Sequence, residues 1–457
     1  ASFSEMEGFE PGDVAVRLES YDLRRDLPTH GEFGASDTFS LAEISARLFT
    51  QNAPLLQDVK LHDGAAGVHV AILGWDDVAL ACAERILRMM WFSGLAAPRV
   101  TVFTPDATGA QRAFQARFPQ AMNKAVAVWS ADIDFVAYDW KSEHWTPIDS
   151  IAQSRRPITS LIVSYPSDQE TLHCAAVLAG RINPQRPSLY VRDDENGTTS
   201  AVLRAYRDKR VLPFAQRKDV LSANALVDRR LDIAARRVHD TYIESCVFRQ
   251  NTQDYLNALS KGSSFSTRIG RMLKPAPKDL PADPEARIGA LEIDFKERLG
   301  PDAYATLRAR LAEKLMIAGL YTPSLDNPAQ RIWDQLNEHY VETNRAAADH
   351  AVLKLQALGW RPAAPGEKGE RPIIAATDIS DDLASVEHMR WCADKIMGGW
   401  RLGPRNDVAL THPDLKPYAD FAADELPAAI AKDRDNWISA PMVARWTYPQ
   451  GFVRADA

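Results

Sequence analysis

The residues with the most chemical potential lie near the C-terminal end of the chain, between residues 387 and 434. Tryptophan, arginine, aspartate and histidine side chains follow one another there at short intervals. Aromatic rings can stack on a base, and a guanidinium can pair with a phosphate or a carboxylate. This composition predicts a small-ligand site formed by Trp391, Trp400, Arg401, Arg405, Asp407, His412, Tyr418 and Arg434.

A structural interpretation of the same residues stays open. Aromatic residues at helical spacing usually pack in a core, so Trp391 and Trp400 can be core residues. Asp407 can form an ion pair with Arg405 or Arg434 that braces a loop. The ligand pocket and the packed loop therefore stand as alternatives.

A helix must position the start of this stretch. His388, Trp391 and Lys395 share one face of it, because they are spaced at i, i+3 and i+7. Gly398 and Gly399 follow directly, and glycine at this place ends a helix and permits positive φ. The aromatic and guanidinium residues after the glycine pair are thus predicted to lie on a loop.

Metal binding and catalysis find little support in the sequence. His388 and Cys392 lie at i, i+4 and His412 follows, but no second Cys/His pair stands at ligand spacing. A packed histidine and a buried thiol are the favoured interpretation. The chain contains no Gly-x-Ser-x-Gly elbow, no Walker phosphate loop and no His-Glu-x-x-His zinc helix. We therefore expect a protein that is not an enzyme.

A second candidate site follows the apolar run His69–Leu73, which runs into Gly74, Trp75 and Asp76. A dinucleotide-binding fold carries Gly-x-Gly-x-x-Gly here, and only the first glycine is present. Asp76 brings a negative charge toward the place of two phosphates, which disfavours conventional NAD binding. Asp106 ends the next strand, where an acidic residue either holds a ribose hydroxyl or starts a turn. The candidate cofactor-binding residues are Gly74, Trp75, Asp76 and Asp106.

Short apolar runs alternate with helical patterns between about residues 66 and 215. The alternation predicts right-handed βαβ units and a parallel sheet. In the helix predicted from Val78 to Trp91, we expect Glu84, Arg85 and Arg88 to be exposed to solvent. The predicted strands are Val68–Leu73, Arg99–Thr104, Ala125–Trp129, Thr159–Val163, Ser188–Val191 and Arg210–Pro213.

The predicted fold class is α/β, with a Rossmann-like parallel sheet domain followed by a helical connector and a mainly α-helical domain. Proline clusters near residues 275–284 and 362–372 mark linkers, because proline interrupts helices. The predicted boundaries are an N-terminal connector at 1–65, the sheet domain at 66–220, the connector at 221–325 and the ligand-binding domain at 326–457.

Composition excludes several classes of protein. The 457 residues are 46% hydrophobic and 25% charged with a net charge of −7, which excludes a disordered chain and disfavours a nucleic-acid partner. Four dispersed cysteines indicate reduced thiols in a cytoplasmic protein, and no apolar run approaches the roughly 18 residues that cross a bilayer. Because the chain starts with Ala1 rather than Met, we leave open an upstream transmembrane segment that processing has removed.

The strand His69–Leu73 with Gly74 and Trp75, its following helix and the run 158–163 resemble RCK-type domains, which regulate potassium channels and transporters. The similarity extends to the TrkA-N-like Rossmann domains of the CASTOR and POLLUX channel family and covers about residues 66–215. In such proteins the fold senses nucleotides or ions and gates a membrane pore, so the resemblance implies a regulatory role. Asp76 and Ala79 depart from the nucleotide-binding pattern.

The C-terminal stretch resembles a ryanodine-receptor (RyR) repeat. The matching elements are His-x-x-Trp at 388–391, Gly-Trp-x-x-Gly-x-x-x-Asp at 399–407, His-Pro-x-Leu-x-Pro-Tyr at 412–418 and Asp-Arg at 433–434. An upstream segment, from Trp333 to Gly359, resembles the closing half of another such repeat. The resemblance implies small-ligand recognition, with a nucleotide as the proposed class.

Our main hypothesis is a non-enzymatic regulatory or sensor protein. Its RyR-repeat domain binds a small, nucleotide-like ligand, and its Rossmann-like domain forms a homo-oligomer and transmits the signal. The chain would then be the cytosolic gating part of an ion channel or a defence effector. The alternatives are an NAD- or nucleotide-dependent enzyme using the Rossmann-like domain, and a purely structural assembly module. No cofactor beyond a nucleotide-type ligand is predicted.

Overall fold

The strands and helices were located in a computed structural model of the chain. The structure describes residues 16–18, 38–60, 66–122, 132–141, 148, 156–180, 188–193, 211–221, 230–260, 300, 328–364 and 366–455. The strands are β1 (Val16–Leu18), β2 (Thr38–Ser40), β3 (His69–Leu73), β4 (Arg99–Thr104), β5 (Asp132–Ala137), β6 (Ser160–Val163), β7 (Ser188–Arg192), β8 (Val211–Phe214), β9 (Trp360–Pro362), β10 (Arg401–Leu402), β11 (Thr411–His412) and β12 (Phe452–Arg454). The α-helices are α1 (Leu41–Asn52), α2 (Leu55–Lys60), α3 (Asp77–Met89), α4 (Ala107–Arg117), α5 (Asp168–Ala179), α6 (Arg217–Val220), α7 (Arg230–Ser260), α8 (Glu338–Ala357), α9 (Asp381–Met397), α10 (Leu426–Ile438) and α11 (Ala440–Thr447).

Six strands form one parallel sheet in the order β5-β4-β3-β6-β7-β8. Counted along the chain from β3, this is the order 3-2-1-4-5-6 of Rossmann-like folds, with the topological switch point between β3 and β6. The predicted α/β class and parallel sheet are confirmed. The predicted strand Ala125–Trp129 lies outside the described residues, and β5 was not predicted.

Both faces of the sheet are buried, as expected for a parallel sheet between helical layers. Val70 and Ile72 of β3 belong to an apolar core that includes residues of α1, α3 and α4. Ala71 and Leu73, which point to the opposite face, pack in a second core with residues of α5. Leu353 of α8 and Met397 of α9 join the first of these cores, so the C-terminal helices pack against α1 and α3, which cover this face of the sheet.

The chain divides into two compact units, residues 1–235 with 338–457, and residues 236–337. In the second unit, the guanidinium of Arg236 lies 5.4 Å from the ring centroid of Trp333, and Nε2 of His239 lies 2.7 Å from the carbonyl oxygen of Arg331. The predicted domain boundaries stay predictions, and most of the predicted connector 221–325 lies outside the described residues. No helix among those residues is both long and apolar enough to cross a membrane.

The predicted exposed face of α3 is wrong, because Glu84, Arg85 and Arg88 are all buried. Helices α8 and α9 cover this face and supply the opposite charges. Arg85 pairs with Asp349 of α8 through Nη1 at 3.2 Å, and Arg88 pairs with Asp394 of α9 at 2.7 Å. A buried guanidinium requires such partners, since an uncompensated buried charge is strongly unfavourable.

Candidate functional site

The turn after β3 lies at the switch point, where parallel sheets of this type bind ligands. Gly74 has a φ of +90°, and a Cβ atom there would lie 2.3 Å from the carbonyl oxygen of Ser164. Only glycine fits this conformation and this close approach. The glycine at this position therefore brings β3 and β6 together, whether or not a cofactor binds.

The N-terminus of α3 already holds an anion, which is the carboxylate of Asp76. Its Oδ1 accepts from the backbone N–H of Ala79 at 2.7 Å and from the hydroxyl of Ser164 at 2.9 Å. Arg192, at the end of β7, also donates to Asp76 and to Asp168. A helix N-terminus favours negative charge, and here a side chain of the protein supplies it.

The other two candidate residues of this region also have structural partners. Asp106 is the N-cap of α4, and its Oδ1 accepts from the backbone N–H of Gly109 at 2.8 Å. The ring of Trp75 packs edge-on against Phe135, with centroids 5.4 Å apart. Gly74, Trp75, Asp76 and Asp106 thus lie at the carboxyl edge of the sheet, each in contacts that stabilise the fold.

A second group of residues surrounds the C-terminal end of α9, and we call it the aromatic cluster. The ring of His412 lies 5.0 Å from that of Trp391 and 6.3 Å from that of Trp400, between centroids. The ring of His339, at the start of α8, lies 5.4 Å from Trp400. Two ammonium groups face the indoles, with Lys395 Nζ 4.6 Å from the Trp400 ring centroid and Lys432 Nζ 5.4 Å from that of Trp391. The cluster comprises His339, Trp391, Lys395, Trp400, His412 and Lys432.

Local geometry at the end of α9 fixes Trp400. Its backbone N–H donates to the carbonyl oxygen of Lys395 at 2.9 Å, and its indole N–H donates to Nε2 of His339 at 2.7 Å. A Cβ atom on Gly398 would lie 2.7 Å from Cε1 of His339. Gly398 therefore leaves room for the imidazole that holds the buried indole, in addition to its predicted role at the helix end.

Burial and cations keep the imidazole of His412 uncharged near neutral pH. Desolvation lowers its pKa to about 4, and the charges of Lys432 and Arg405 act in the same direction. Desolvation also lowers the pKa of Lys395 to about 8, although Asp394 and Asp407 favour its charged form. The cluster thus combines aromatic faces and a neutral imidazole with positive charge.

The loop between β10 and β11 brings further polar groups to this region. Arg401 and Arg405 are exposed, and the backbone N–H of Arg401 donates to the carbonyl oxygen of Leu410 at 2.9 Å. Oδ1 of Asp407 is buried and has no hydrogen-bond partner within the described part of the chain. A buried acceptor of this kind is unfavourable unless a bound group or an ordered water donates to it.

Tyr418 and Arg434, both predicted site residues, are placed differently. The Tyr418 hydroxyl donates to Oδ2 of Asp433 at 2.7 Å, and its ring contacts that of His388, so it lies one ring beyond Trp391. Arg434 donates to Asp381 at 2.5 Å, at the opposite end of α9 from the cluster. The structure therefore brings Trp391, Trp400 and His412 together and separates Arg434 from them.

Cys392, His388 and Asp433 are arranged like a nucleophile, base and orienting carboxylate. Cys392 Sγ lies 3.6 Å from His388 Nε2, and His388 Nδ1 lies 3.2 Å from Asp433 Oδ2. However, His388 Nε2 also lies 2.9 Å from the carbonyl oxygen of Lys416, which can only accept, so this nitrogen carries a hydrogen. Burial raises the pKa of the Cys392 thiol, which disfavours the thiolate that nucleophilic catalysis requires.

Three members of the aromatic cluster, His339, Lys395 and Lys432, were absent from the predicted site, although Lys395 was placed on the helix face of Trp391. His339 stands 61 positions before Trp400, and no periodic pattern links the two. Lys432 directly precedes the Asp433-Arg434 pair of the closing motif, and this position is a weak indication that it belongs to the site. Within the described residues, no three His, Cys, Asp or Glu side chains are placed to hold a metal ion.

Comparison of the chain with protein-family models, with curated proteins and with solved structures finds no match.

Proposed function

We propose that the protein is a regulatory sensor whose aromatic cluster binds a small, planar, anionic ligand of the nucleotide type. One observation carries the proposal, namely that Trp391, Trp400 and an uncharged His412 converge among the cations Lys395 and Lys432. Aromatic faces stack on a base, and the nearby ammonium groups offset the charge of a phosphate. Arg401 on β10 and Arg405 on the loop after it add guanidinium groups that suit phosphate pairing.

The buried Oδ1 of Asp407 supports the same proposal. A ligand with a hydroxyl or amino donor would satisfy this acceptor, as the sugar or the base of a nucleotide can. The resemblance to an RyR repeat points to the same stretch of chain. In this proposal the Rossmann-like sheet assembles the homo-oligomer and transmits the signal, either to a membrane channel for which the chain is the cytosolic gating part or within a defence effector.

The alternative of an NAD- or nucleotide-dependent enzyme receives less support. Asp76 occupies the anion position at the N-terminus of α3 and is paired with Arg192. A pyrophosphate at this turn would meet a carboxylate, and like charges at contact distance repel strongly in a buried site. The described residues therefore favour ligand binding at the aromatic cluster over cofactor binding at the switch point.

A nucleotide screen tests the proposal. The full chain would be heated with AMP, ADP, ATP and cyclic nucleotides, and the best ligand titrated by calorimetry. A ligand at 100 times its Kd stabilises the folded state by about 2.7 kcal/mol, which is a rise of several degrees in Tm.

Three variants locate the ligand. Trp391→Ala and Arg405→Ala are expected to weaken binding at least tenfold, because one removes a stacking face and the other a phosphate partner. Trp446→Ala is the matched control, since Trp446 is a partly exposed tryptophan on α11 outside the cluster. The proposal is wrong if no nucleotide raises Tm, or if Trp391→Ala and Arg405→Ala both bind as tightly as the unmodified protein.

A further inference from the structure

We propose that Arg88, on helix α3 of the sheet, is a positioning residue for the aromatic cluster and acts through Asp394 on Lys395. This inference rests on the proposed function, because it assigns the regulation of the same site. It makes the sheet a part of the ligand site without direct contact between Arg88 and the ligand.

The contact between the two regions is a buried ion pair. Arg88 Nη1 lies 2.7 Å from Asp394 Oδ1, and the two residues are 3% and 0% exposed. Glu84, one turn earlier on α3, holds the other end of the guanidinium through a contact of 2.6 Å with Nη2. Because both carboxylates are fixed on helices, the guanidinium has a defined position between them.

Asp394 is the chain neighbour of Lys395 on the last turns of α9. Lys395 Nζ faces the ring of Trp400, lies 5.4 Å from the Tyr340 ring centroid and lies 3.3 Å from Nε2 of His339. The nitrogen of His339 that Lys395 approaches also accepts the indole N–H of Trp400. Because Asp394 and Lys395 lie on the same helical turn, a displacement of α9 at Asp394 also moves Lys395 and the contacts that hold Trp400.

Helix α3 connects this ion pair to the switch point. It begins at its N-cap Asp76, which is bound to Ser164 and Arg192, and its last turn carries Arg88. A helix of this length moves as a rigid body, because each turn is hydrogen-bonded to the next. A displacement of α3 at the sheet would thus reach Asp394 at the other end through the Arg88 ion pair.

Charges on several elements set the titration of Lys395. Asp394 on its own helix and Asp407 on the following loop favour the ammonium, whereas Lys432 of α10 and Arg405 oppose it. When Arg88 is removed, the Asp394 carboxylate loses its strongest cationic partner and its field falls more fully on Lys395. The ionisable groups that face Lys395 or lie near it are His339, Tyr340, Asp394, Arg405, Asp407, His412 and Lys432.

The test is an NMR titration of the Lys395 amine in the full chain, without ligand, assigned with Lys395→Arg. In Arg88→Met we expect the Lys395 midpoint to rise by about one pH unit, because the Asp394 carboxylate is then no longer shared between Arg88 and the ammonium. In the double variant Arg88→Met with Asp394→Asn, we expect the Lys395 midpoint to fall below its value in the unmodified protein. The Asp394 carboxylate, which stabilises the ammonium, is then absent. Arg88→Lys should restore most of the original midpoint and the indole N–H resonance of Trp400.

The control is Arg434→Met, which breaks an ion pair at the other end of α9 and should leave the midpoint unchanged. If Arg88 only packs the helices together, water enters in Arg88→Met and in the double variant alike. The Lys395 midpoint then rises in both proteins toward that of an ordinary lysine. That result, or unchanged midpoints, overturns the inference. Since no ligand is used, a negative nucleotide screen and a negative titration are separate outcomes.

Discussion

The turn at the switch point and the aromatic cluster both present charged groups beside a helix end, but they differ in how those charges are satisfied. At the turn, Asp76 is bound by Ala79, Ser164 and Arg192, all from the protein itself. At the cluster, Arg405 is exposed and Oδ1 of Asp407 is buried without a hydrogen-bond partner among the described residues. Charges that partner each other stabilise a fold, whereas unsatisfied groups beside aromatic faces are suited to a ligand.

The difference also separates stability from recognition. The Arg192–Asp76 pair is buried, so removing one partner leaves a charge without compensation. Lys432 over Trp391 and Arg405 on the nearby loop are exposed, where the loss of a charge changes stability little. Substitutions in the two regions should therefore affect different measurements.

The largest effect is expected from Arg192→Met. The substitution leaves the buried carboxylate of Asp76 without its cation, which should cost about 3 kcal/mol of unfolding free energy. Urea unfolding followed by circular dichroism measures this loss. Nucleotide affinity at the aromatic cluster should stay within a few-fold of the original value.

Arg405→Met is the matched change in the other region. It should alter the unfolding free energy by less than about 0.5 kcal/mol and weaken nucleotide binding. Equal losses of stability in Arg192→Met and Arg405→Met would contradict the contrast between the two regions.

An intermediate effect is expected from Gly398→Ala, which probes the packing of the cluster itself. The new methyl group would meet the ring of His339 and weaken its hydrogen bond with Trp400, at a cost of about 1 to 2 kcal/mol. Thermal unfolding and the Trp400 indole N–H resonance measure the effect.

Gly180 offers a close control, because it also follows a helix and has a φ of −68° beside −75° at Gly398. Its surroundings leave ordinary van der Waals space for a methyl group. Gly180→Ala should therefore stabilise the protein by about 0.5 kcal/mol. A similar gain in Gly398→Ala would show that the position of the His339 ring does not require glycine at residue 398.

The smallest effect is expected from Arg434→Met, which tests the limit of the site. Arg434 pairs with the exposed Asp381 and lies at the far end of α9. Its loss should change stability by less than about 0.5 kcal/mol and leave nucleotide affinity unchanged in calorimetry. A tenfold loss of affinity would instead show that Arg434 belongs to the ligand site, and that the site extends beyond the aromatic cluster.

The parallel sheet could be predicted because each inner strand is visible in the sequence as a short apolar run. The run Arg99–Thr104 is apolar and bounded by turn residues, and it forms β4 with those bounds. Strand β5 was missed because it lies at the edge of the sheet, where only one of its six residues is fully buried and two aspartates interrupt the apolar pattern. Asp134 of β5 pairs with Arg99 across the strands, which no local pattern reveals.

Helix α3 shows the limit of periodicity. The helix itself was predicted, but Arg85 and Arg88 were expected in solvent and are buried against α8 and α9. Hydrophobic periodicity assigns charged residues to water by default. The carboxylates that compensate these charges lie more than 250 residues further along the chain, so only the folded structure could identify them.

The candidate site divides in the same way. Trp391, Trp400 and His412 could be proposed as site residues because they occur within one short stretch, and the residue type alone shows which side chains can stack on a base or pair with a charge. His339, by contrast, joins them only because α8 packs beside α9.

The amino-acid sequence by itself determined the alternation of strands and helices, the glycine at the switch point and the aromatic and cationic composition of the C-terminal loop. Each of these depends on interactions between residues that are near in the chain. The tertiary structure decided which charges are satisfied from within, as at Asp76, and which are left beside the aromatic rings, as at Asp407. That distinction depends on burial and on distant partners, and it is the reason to place the ligand at the cluster.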